Sequence, residues 1–322
     1  MVISSNKMQL KLLGLPPIDT LEDFSLHTHL SKGLIYRLSK FSDKNYLTYE
    51  LPKKTGGSRI IAQPSAELKA VQSWILRHIL DKLVVSPACK GFEQNTSILD
   101  NAKPHVGALA LMCLDLEDFF PSIKINQVWS VFHVLGYNKR IAAVLASLCT
   151  YKGSLPQGSP ASPKLSNLVS LRLDARLLGY VGIRGIIYTR YADDLSFSSL
   201  SYPQLAKAYS FIRRIIESEG FSLNNNKTRF SGAARQHKIT GLIVNDKQAG
   251  IGRVWLRKIR SEINYICRHS KTNVPDGSVE RIIGLLSFVR SVDEIRYSVL
   301  VQYIAKLKSK FPESGASLLL NS

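Results

Sequence analysis

The sequence predicts an α+β fold in which short strands carry acidic residues and amphipathic helices lie between and after them. Residues 186–198 alternate apolar and polar side chains around Tyr191-Ala192-Asp193-Asp194. That pattern is typical of a β-hairpin whose tip holds two carboxylates. Residues 108–116 form a hydrophobic strand in which a further acidic residue, Asp115, lies near the end.

Asp115, Asp193 and Asp194 are the candidate metal ligands. Adjacent carboxylates repel each other unless a cation lies between them, and a carboxylate at the end of a buried strand needs a partner or a metal. Ligand sets made only of oxygen favour a hard cation such as Mg²⁺. An Asp-Asp pair is also common in ordinary turns, so the tetrapeptide alone leaves the solvated turn open.

The net charge indicates a polyanionic partner. The 322 residues contain 43 Lys and Arg against 24 Asp and Glu, which gives +19. Nucleic acid is the leading candidate and an anionic membrane surface the second, but no basic amphipathic anchor or lipidation motif supports a membrane. The four cysteines lack metal-ligand spacing, and no apolar run suits a signal peptide or a bilayer span. We therefore expect an intracellular, cytoplasmic protein without zinc.

A basic hairpin is predicted over residues 46–63, with its turn at Gly56-Gly57. Lys53, Lys54 and Arg59 give this hairpin three cations that could close on a triphosphate. A solvated basic turn is the commoner use of such residues.

Apolar residues recur at helical spacing in several further segments. Helices are predicted in residues 21–38 (two short ones), 64–84, 127–149, after the loop 155–163, in 202–219, and three times after residue 253. Gln157-Gly158 lies in that Pro/Gly/Ser loop, where glycine lets backbone amides approach a ligand closely. The segment after Arg253 holds 12 Lys and Arg against 6 Asp and Glu, so it forms a small basic helical subdomain.

Taken together, these motifs resemble those of reverse transcriptases, and specifically of bacterial retron reverse transcriptases. The resemblance rests on the Tyr-x-Asp-Asp hairpin, the strand-end Asp115 and Gln157-Gly158. Two further motifs favour retrons: Asn-Ala-x-x-His at residues 101–105, and Ile239-Thr240-Gly241, where the family has Val at the first position. The resemblance covers nearly the whole chain.

The resemblance implies a right-hand polymerase fold of fingers, a palm with an antiparallel sheet, and a helical thumb. The expected boundaries are 1–105 for N-terminal helices and fingers, 106–235 for the palm with inserted finger helices at about 122–155, and 236–322 for a hairpin and the basic thumb.

The resemblance also implies residue roles in RNA-directed DNA synthesis. Asp115, Asp193 and Asp194 correspond to the ligands of two Mg²⁺ ions, which makes them the catalytic residues. The expected nucleotide-binding residues are Lys54, Arg59, Phe120, Gln157, Gly158 and Lys227. Among these, Phe120 is expected to block a ribose 2′-hydroxyl and so to select dNTPs, and Lys227 is expected to assist pyrophosphate departure.

Retron membership implies a cognate structured RNA, the msr-msd RNA, as partner. Synthesis would begin at the 2′-hydroxyl of a guanosine and yield branched RNA–DNA, called msDNA, within an anti-phage system that has a separate effector protein. The candidate RNA-binding residues are Asn101, His105, Arg253, Arg257, Lys258 and Arg260.

Three alternatives stay open at this point. A group II intron-like reverse transcriptase shares the palm motifs but usually carries a further domain after the thumb. A non-catalytic RNA-binding scaffold of a defence complex would tolerate loss of carboxylates, yet all three are present. An RNA-dependent RNA polymerase is opposed by the bulk of Phe120.

Overall fold

The computed structural model describes residues 5–52, 56–245, 247–268, 277–312 and residue 319. The helices are α1 Lys7–Leu12, α2 Leu21–Thr28, α3 Lys32–Lys40, α4 Ala66–His78, α5 Ile98–Ala102, α6 Phe119–Ser122, α7 Ile125–Val134, α8 Lys139–Cys149, α9 Ser162–Val169, α10 Leu171–Gly182, α11 Tyr202–Ser218, α12 Gly252–Arg268, α13 Ser278–Val292 and α14 Glu294–Lys310. The strands are β1 Tyr46–Pro52, β2 Ser58–Pro64, β3 Ala110–Asp115, β4 Ile187–Tyr191, β5 Asp194–Ser199, β6 Arg229–Ser231, β7 Lys238–Ile239 and β8 Leu242–Ile243.

The chain forms two compact units that interleave along the sequence. The first unit comprises Met1–Asn95, Leu114–Leu195 and Ala206–Thr228, and the second comprises Thr96–Cys113, Ser196–Leu205 and Arg229–Ser322. β3, β5 and α11 therefore contribute residues to both units. The three contiguous domains expected from the sequence are a different division of the chain and stay a prediction.

A four-stranded sheet with the order β4-β5-β3-β6 carries the acidic residues. β3 lies between β5 and β6, and all of its residues except Cys113 are buried. Its pairing with β6 is antiparallel, with Met112 opposite Phe230. An apolar central strand is the expected result where both faces of a sheet are covered. The predicted strand that ends in Asp115 is confirmed.

The basic hairpin is also confirmed. β1 and β2 pair in antiparallel register from Tyr46 opposite Pro64 to Pro52 opposite Ser58. Two of its predicted triphosphate-binding residues, Lys53 and Lys54, lie outside the described residues. The following helix α4 begins as predicted, because the Ser65 hydroxyl accepts a hydrogen bond from the backbone N–H of Leu68 at 3.3 Å.

Two element predictions are wrong in detail. The helical pattern over 127–149 is interrupted, so that α7 and α8 are separate helices. Gly136 has a φ of 110°, and Asn138 caps α8 by accepting the backbone N–H groups of Arg140 and Ile141. The strand predicted over 239–244 is instead the two-residue strands β7 and β8.

The three predicted C-terminal helices are confirmed as α12, α13 and α14. Their inward residues share one apolar core in the second unit, which includes Ile259, Ile263, Ile282, Val289, Leu300 and Ile304. In the part of the chain that the structure describes, no helix combines the length and the apolar character needed to cross a bilayer.

Candidate active site

The acidic turn is held against the end of β3. Ala192 and Asp193 join β4 to β5, and Ala192 has a φ of 57°, in the left-handed region. The backbone N–H of Leu116 donates to the carbonyl of Asp193 at 3.0 Å. Because Leu116 directly follows Asp115, this bond brings the acidic ends of both strands together, as the metal-site hypothesis requires.

The three carboxylates differ in their exposure. Asp115 is buried, Asp193 is half-buried and Asp194 is exposed. Burial raises the pKa of Asp193 above its ordinary value, and the charge of Asp115 raises it further, whereas the backbone N–H of Asp193, Lys227 and Arg59 lower it. The carboxylates of Asp115 and Asp193 therefore lie close enough for their charges to repel each other.

Lys227 lies among these carboxylates. Its Nζ is 2.8 Å from Asp115 Oδ1 and 3.0 Å from Asp115 Oδ2. This hydrogen bond raises the pKa of Lys227, and the charges of Asp115, Asp193 and Asp194 add to the rise. Lys227 belongs to a short 3₁₀ turn, Asn225–Lys227. The backbone N–H of Asn224 donates to the carbonyl of Asp115 at 2.9 Å and brings this turn to the site.

The donor set fits a hard divalent cation. Asp115 and Asp193 offer only oxygen atoms, and their mutual repulsion is what a cation between them relieves. Among the described residues, no three His, Cys, Asp or Glu side chains are grouped closely enough to form a metal site by themselves. The ammonium of Lys227 is bonded to Asp115, so a cation and this lysine compete for the same oxygen atoms.

The glycine loop packs on the hairpin that carries Arg59. The backbone N–H of Ala62 in β2 donates to the carbonyl of Gln157 at 2.8 Å. Gly158 has a φ of 135°, and a Cβ there would lie 2.5 Å from the carbonyl oxygen of Ala62. Only glycine allows this approach. The structure therefore packs Gln157 and Gly158 on the strand β2 that also carries Arg59. Arg59 is exposed on this strand, and its charge acts on Asp193.

Phe120 lies five residues after Asp115 and is half-buried in α6. Its ring centroid lies 5.6 Å from that of Phe119 and 6.0 Å from that of Phe92. Phe119 is buried in the core and packs against Phe221. Phe92, by contrast, is 44% exposed and has a φ of 64°, which is unusual for a bulky residue.

Asn101 and His105 are fully buried. His105 Nδ1 lies 2.7 Å from the hydroxyl of Ser198, and Asn101 Nδ2 lies 3.5 Å from the hydroxyl of Thr240. Their prediction as RNA-binding residues is corrected here, because side chains without exposed area cannot contact RNA in this conformation. The contact with Thr240 joins the two retron motifs, Asn-Ala-x-x-His and Ile239-Thr240-Gly241, inside the second unit.

The burial of His105 predicts a pH-dependent stability. Desolvation lowers its pKa from 6.5 to about 4, so the folded chain keeps it neutral while the unfolded chain protonates it near pH 6.5. This contribution is fully present above pH 6.5 and decreases as the pH falls towards 4, with a loss of about 2 kcal/mol at pH 5. Urea unfolding at pH 7.5 and pH 5.0 should show a smaller pH effect in His105→Gln than in wild type.

The exposed His27 supplies a matched control for this prediction. His27→Gln should retain the full difference in unfolding free energy between the two pH values. An equal pH effect in His105→Gln and wild type would contradict the burial argument.

The four remaining candidate RNA-binding residues are exposed on α12: Arg253, Arg257, Lys258 and Arg260. The three arginines recur at helical spacing and share one face. The guanidinium of Arg260 lies 4.4 Å from the ring centroid of Tyr303, a cation–π contact that holds it in place.

Sequence reasoning missed a buried polar cluster behind the turn. Arg190, Asp174 and Asn167 are each without exposed area, and Arg190 donates to both of the others. The available signal was an arginine inside an otherwise apolar strand, because such a charge needs a buried partner. Nothing in the local pattern identified Asp174 as that partner.

Comparison with known proteins identifies the family to which the chain belongs. The model of the family "Reverse transcriptase (RNA-dependent DNA polymerase)" matches residues 51–244. The retron Ec86 reverse transcriptase of Escherichia coli is 47% identical over 309 residues, 95% of this chain and 95% of that protein. The retron Mx65 enzyme of Myxococcus xanthus is 34% identical, covering 89% and 72%, and the retron Mx162 enzyme of the same organism is 32% identical, covering 82% and 61%.

The matched range contains Asp115, Asp193 and Asp194, and it covers more than half of the chain. This match confirms the α+β, right-hand polymerase fold and the RNA-directed DNA polymerase activity that the sequence predicts. Identity to retron enzymes extends beyond the matched range, over nearly the whole chain. The chain therefore belongs to the reverse transcriptase family and, within it, to the retron reverse transcriptases.

Proposed function

We propose that this polymerase uses one cognate structured RNA, of the msr-msd type, as both template and 2′-hydroxyl primer. The product is branched RNA–DNA, or msDNA, made within an anti-phage retron system that includes a separate effector protein. The observation that carries the chemistry is the convergence of Asp115, Asp193 and Lys227 at the end of one sheet. Similarity to retron Ec86 reverse transcriptase over 95% of the chain supports the retron assignment.

The reaction is nucleotidyl transfer. The primer hydroxyl loses its proton to solvent and its oxygen forms a bond to the α-phosphorus of a dNTP. The bond from that phosphorus to the oxygen bridging it to the β-phosphorus breaks, and pyrophosphate leaves with that oxygen. We assign Asp115, Asp193 and Asp194 as ligands of two Mg²⁺ ions. Bound Mg²⁺ supplies activation of the attacking hydroxyl and charge neutralisation on the triphosphate.

The other residues of the site orient the nucleotide in this proposal. The exposed guanidinium of Arg59 binds phosphate oxygens, together with Lys54. Gln157 and Gly158 line the pocket for the incoming nucleotide, while Phe120 packs against its sugar. Lys227 acts on the leaving pyrophosphate, which requires its ammonium to exchange Asp115 for phosphate oxygens.

A debranching assay tests the proposal. The purified protein, with the RNA that copurifies from its host, is given Mg²⁺ and dNTPs, and any DNA product is treated with an enzyme that cuts 2′–5′ links. A discrete DNA whose RNA attachment is lost on debranching is the expected result. DNA made only from an added 3′-hydroxyl primer would contradict retron priming while keeping the polymerase. No DNA from any primer would favour the scaffold alternative.

RNA affinity should fall steeply with salt. The net charge of +19 and the exposed basic face of α12 favour phosphate contacts. For six to ten contacts, affinity is expected to fall by roughly 10³–10⁵ between 50 and 200 mM salt. Filter binding across a salt series measures this slope. Arg253→Gln/Arg257→Gln, which removes two charges from one face of α12, should lower the slope by the equivalent of about two phosphate contacts. Arg77→Gln, on α4, is the control, and an unchanged slope in the double variant would remove α12 from the RNA interface.

A further inference from the structure

Arg190 lies on β4, three residues before Asp193, and has no exposed area. Its Nε and Nη2 donate to the two oxygens of Asp174 at 2.9 and 2.7 Å. Its Nη1 donates to Asn167 Oδ1 at 3.1 Å and to the carbonyl of Ala192 at 3.2 Å. One guanidinium therefore bonds a buried acid, a buried amide and the backbone of the catalytic turn.

A contribution to the stability of the fold does not by itself explain why the chain contains this buried ion pair. Both Arg190 and Asp174 are completely buried, and removing two charges from water costs more than their attraction returns in many proteins. Apolar residues of similar volume often serve stability equally well. What an apolar pair cannot supply is a fixed fork of donors directed at a backbone carbonyl.

The turn needs such support. Ala192 adopts a left-handed backbone conformation, which is unfavourable for a residue with a Cβ. On one side its carbonyl accepts from Arg190. On the other side Gly91 packs so closely that a Cβ there would lie 2.6 Å from the Ala192 nitrogen. The segment before Gly91 pairs with the backbone of Arg190, through Ala88 O at 2.8 Å and Lys90 N at 2.7 Å.

Asn167 connects Arg190 with the segment that contains Gly91. It accepts from Arg190 and donates through Nδ2 to the carbonyl of Gly91 at 2.8 Å and to Glu93 Oε1 at 2.9 Å. Glu93 is held in turn by Lys164, whose Nζ lies 2.5 Å from Oε2. The cluster thus joins the turn and the segment around Gly91 in one hydrogen-bonded network.

We propose that Arg190 is a positioning residue for catalysis. Its guanidinium, held by Asp174 and Asn167, fixes the carbonyl of Ala192 and thereby the place of the Asp193 carboxylate beside Asp115. The proposal rests on the proposed function only in taking Asp193 as a metal ligand. In this proposal Arg190 influences the catalytic rate, although it touches neither substrate nor metal.

The test removes the charged cluster without leaving a buried charge alone. The triple variant Arg190→Met/Asp174→Leu/Tyr188→Phe replaces the ion pair and the tyrosine hydroxyl that donates to Asp174 at 2.8 Å. Tyr188→Phe alone is the matched control, because it loses a bond to Asp174 but none to the turn. Extension of a 3′-hydroxyl primer gives kcat and the dNTP KM, and RNA binding and thermal unfolding are measured in parallel.

We expect kcat of the triple variant to fall about 100-fold, since a displacement of about 1 Å at a reacting group has effects of that size. The dNTP KM and RNA affinity should stay within threefold of the control. Mn²⁺ affinity of the RNA-free protein, followed by electron paramagnetic resonance, should weaken about tenfold. A folded triple variant with the kcat and Mn²⁺ affinity of the control would overturn the proposal.

A milder variant covers the case in which the triple variant does not fold. Arg190→Lys keeps the charge for Asp174 but lacks the fork that reaches Ala192. Reduced kcat with a retained unfolding transition supports the proposal, and unchanged kcat refutes it. If wild type extends no primer at all, the proposed function fails, and Mn²⁺ affinity alone then decides the positioning role.

Discussion

Replacing Asp193 with Asn should abolish DNA synthesis, with a loss of roughly 10³-fold or more in kcat, while RNA binding stays within about twofold of wild type. The substitution keeps the shape of the side chain but removes one charge and one anionic oxygen. The half-buried Asp193 lies beside Asp115, where that charge acts at short range. RNA binding should persist, because the basic face of α12 is untouched.

Primer extension with defined template, together with RNA filter binding, measures both effects. Asp115→Asn should behave in the same way. Asp81→Asn changes an exposed carboxylate outside the site and should retain full activity. An Asp193→Asn enzyme with more than a tenth of the wild-type kcat would exclude Asp193 as an essential metal ligand.

Replacing Phe120 with Ala should admit ribonucleotides. Its half-buried ring packs against the rings of Phe119 and Phe92. Removal of the ring leaves room for a 2′-hydroxyl, and the ratio of kcat/KM for rNTPs over dNTPs should rise by about 100-fold.

Single-nucleotide incorporation with matched dNTP and rNTP gives this ratio. Phe211→Ala is the control, since Phe211 is an exposed ring stacked on Tyr180 at 4.3 Å and its loss removes a comparable aromatic pair. Equal rejection of rNTPs by Phe120→Ala and wild type would contradict the assignment of Phe120 as the residue that excludes the ribose 2′-hydroxyl.

The parts of the site that local patterns encode were predictable. Alternation around Asp193 and the apolar run before Asp115 specify two strands and their ends, because side-chain period and burial act over a few residues. The C-terminal helices followed from their apolar period in the same way. The helix predicted over 127–149 failed because its apolar spacing continues across Gly136, where backbone conformation, not side-chain pattern, ends α7.

Contacts between distant residues were not predictable. The pairing of Lys227 with Asp115 joins residues 112 positions apart, and the pairing of Arg190 with Asp174 depends on a helix packing behind a strand. Asn101 and His105 were predicted to bind RNA because they belong to a retron motif and retron membership implies an RNA partner. Both side chains are buried instead and bond to other parts of the chain, His105 to Ser198 and Asn101 to Thr240.

The interleaving of the two units has a consequence for how the chain can be made. The first unit ends at Thr228 and the second begins at Thr96, so no single cut separates one from the other. During synthesis, the first unit is complete only when Thr228 has been added, more than a hundred residues after Asn95. Such a topology slows folding, because distant segments must meet before their contacts can stabilise the unit. A cut after Thr228 leaves all of the first unit on one fragment, but it divides the second unit, whose segments Thr96–Cys113 and Ser196–Leu205 stay behind, so only reassociation of the two fragments would restore the second unit.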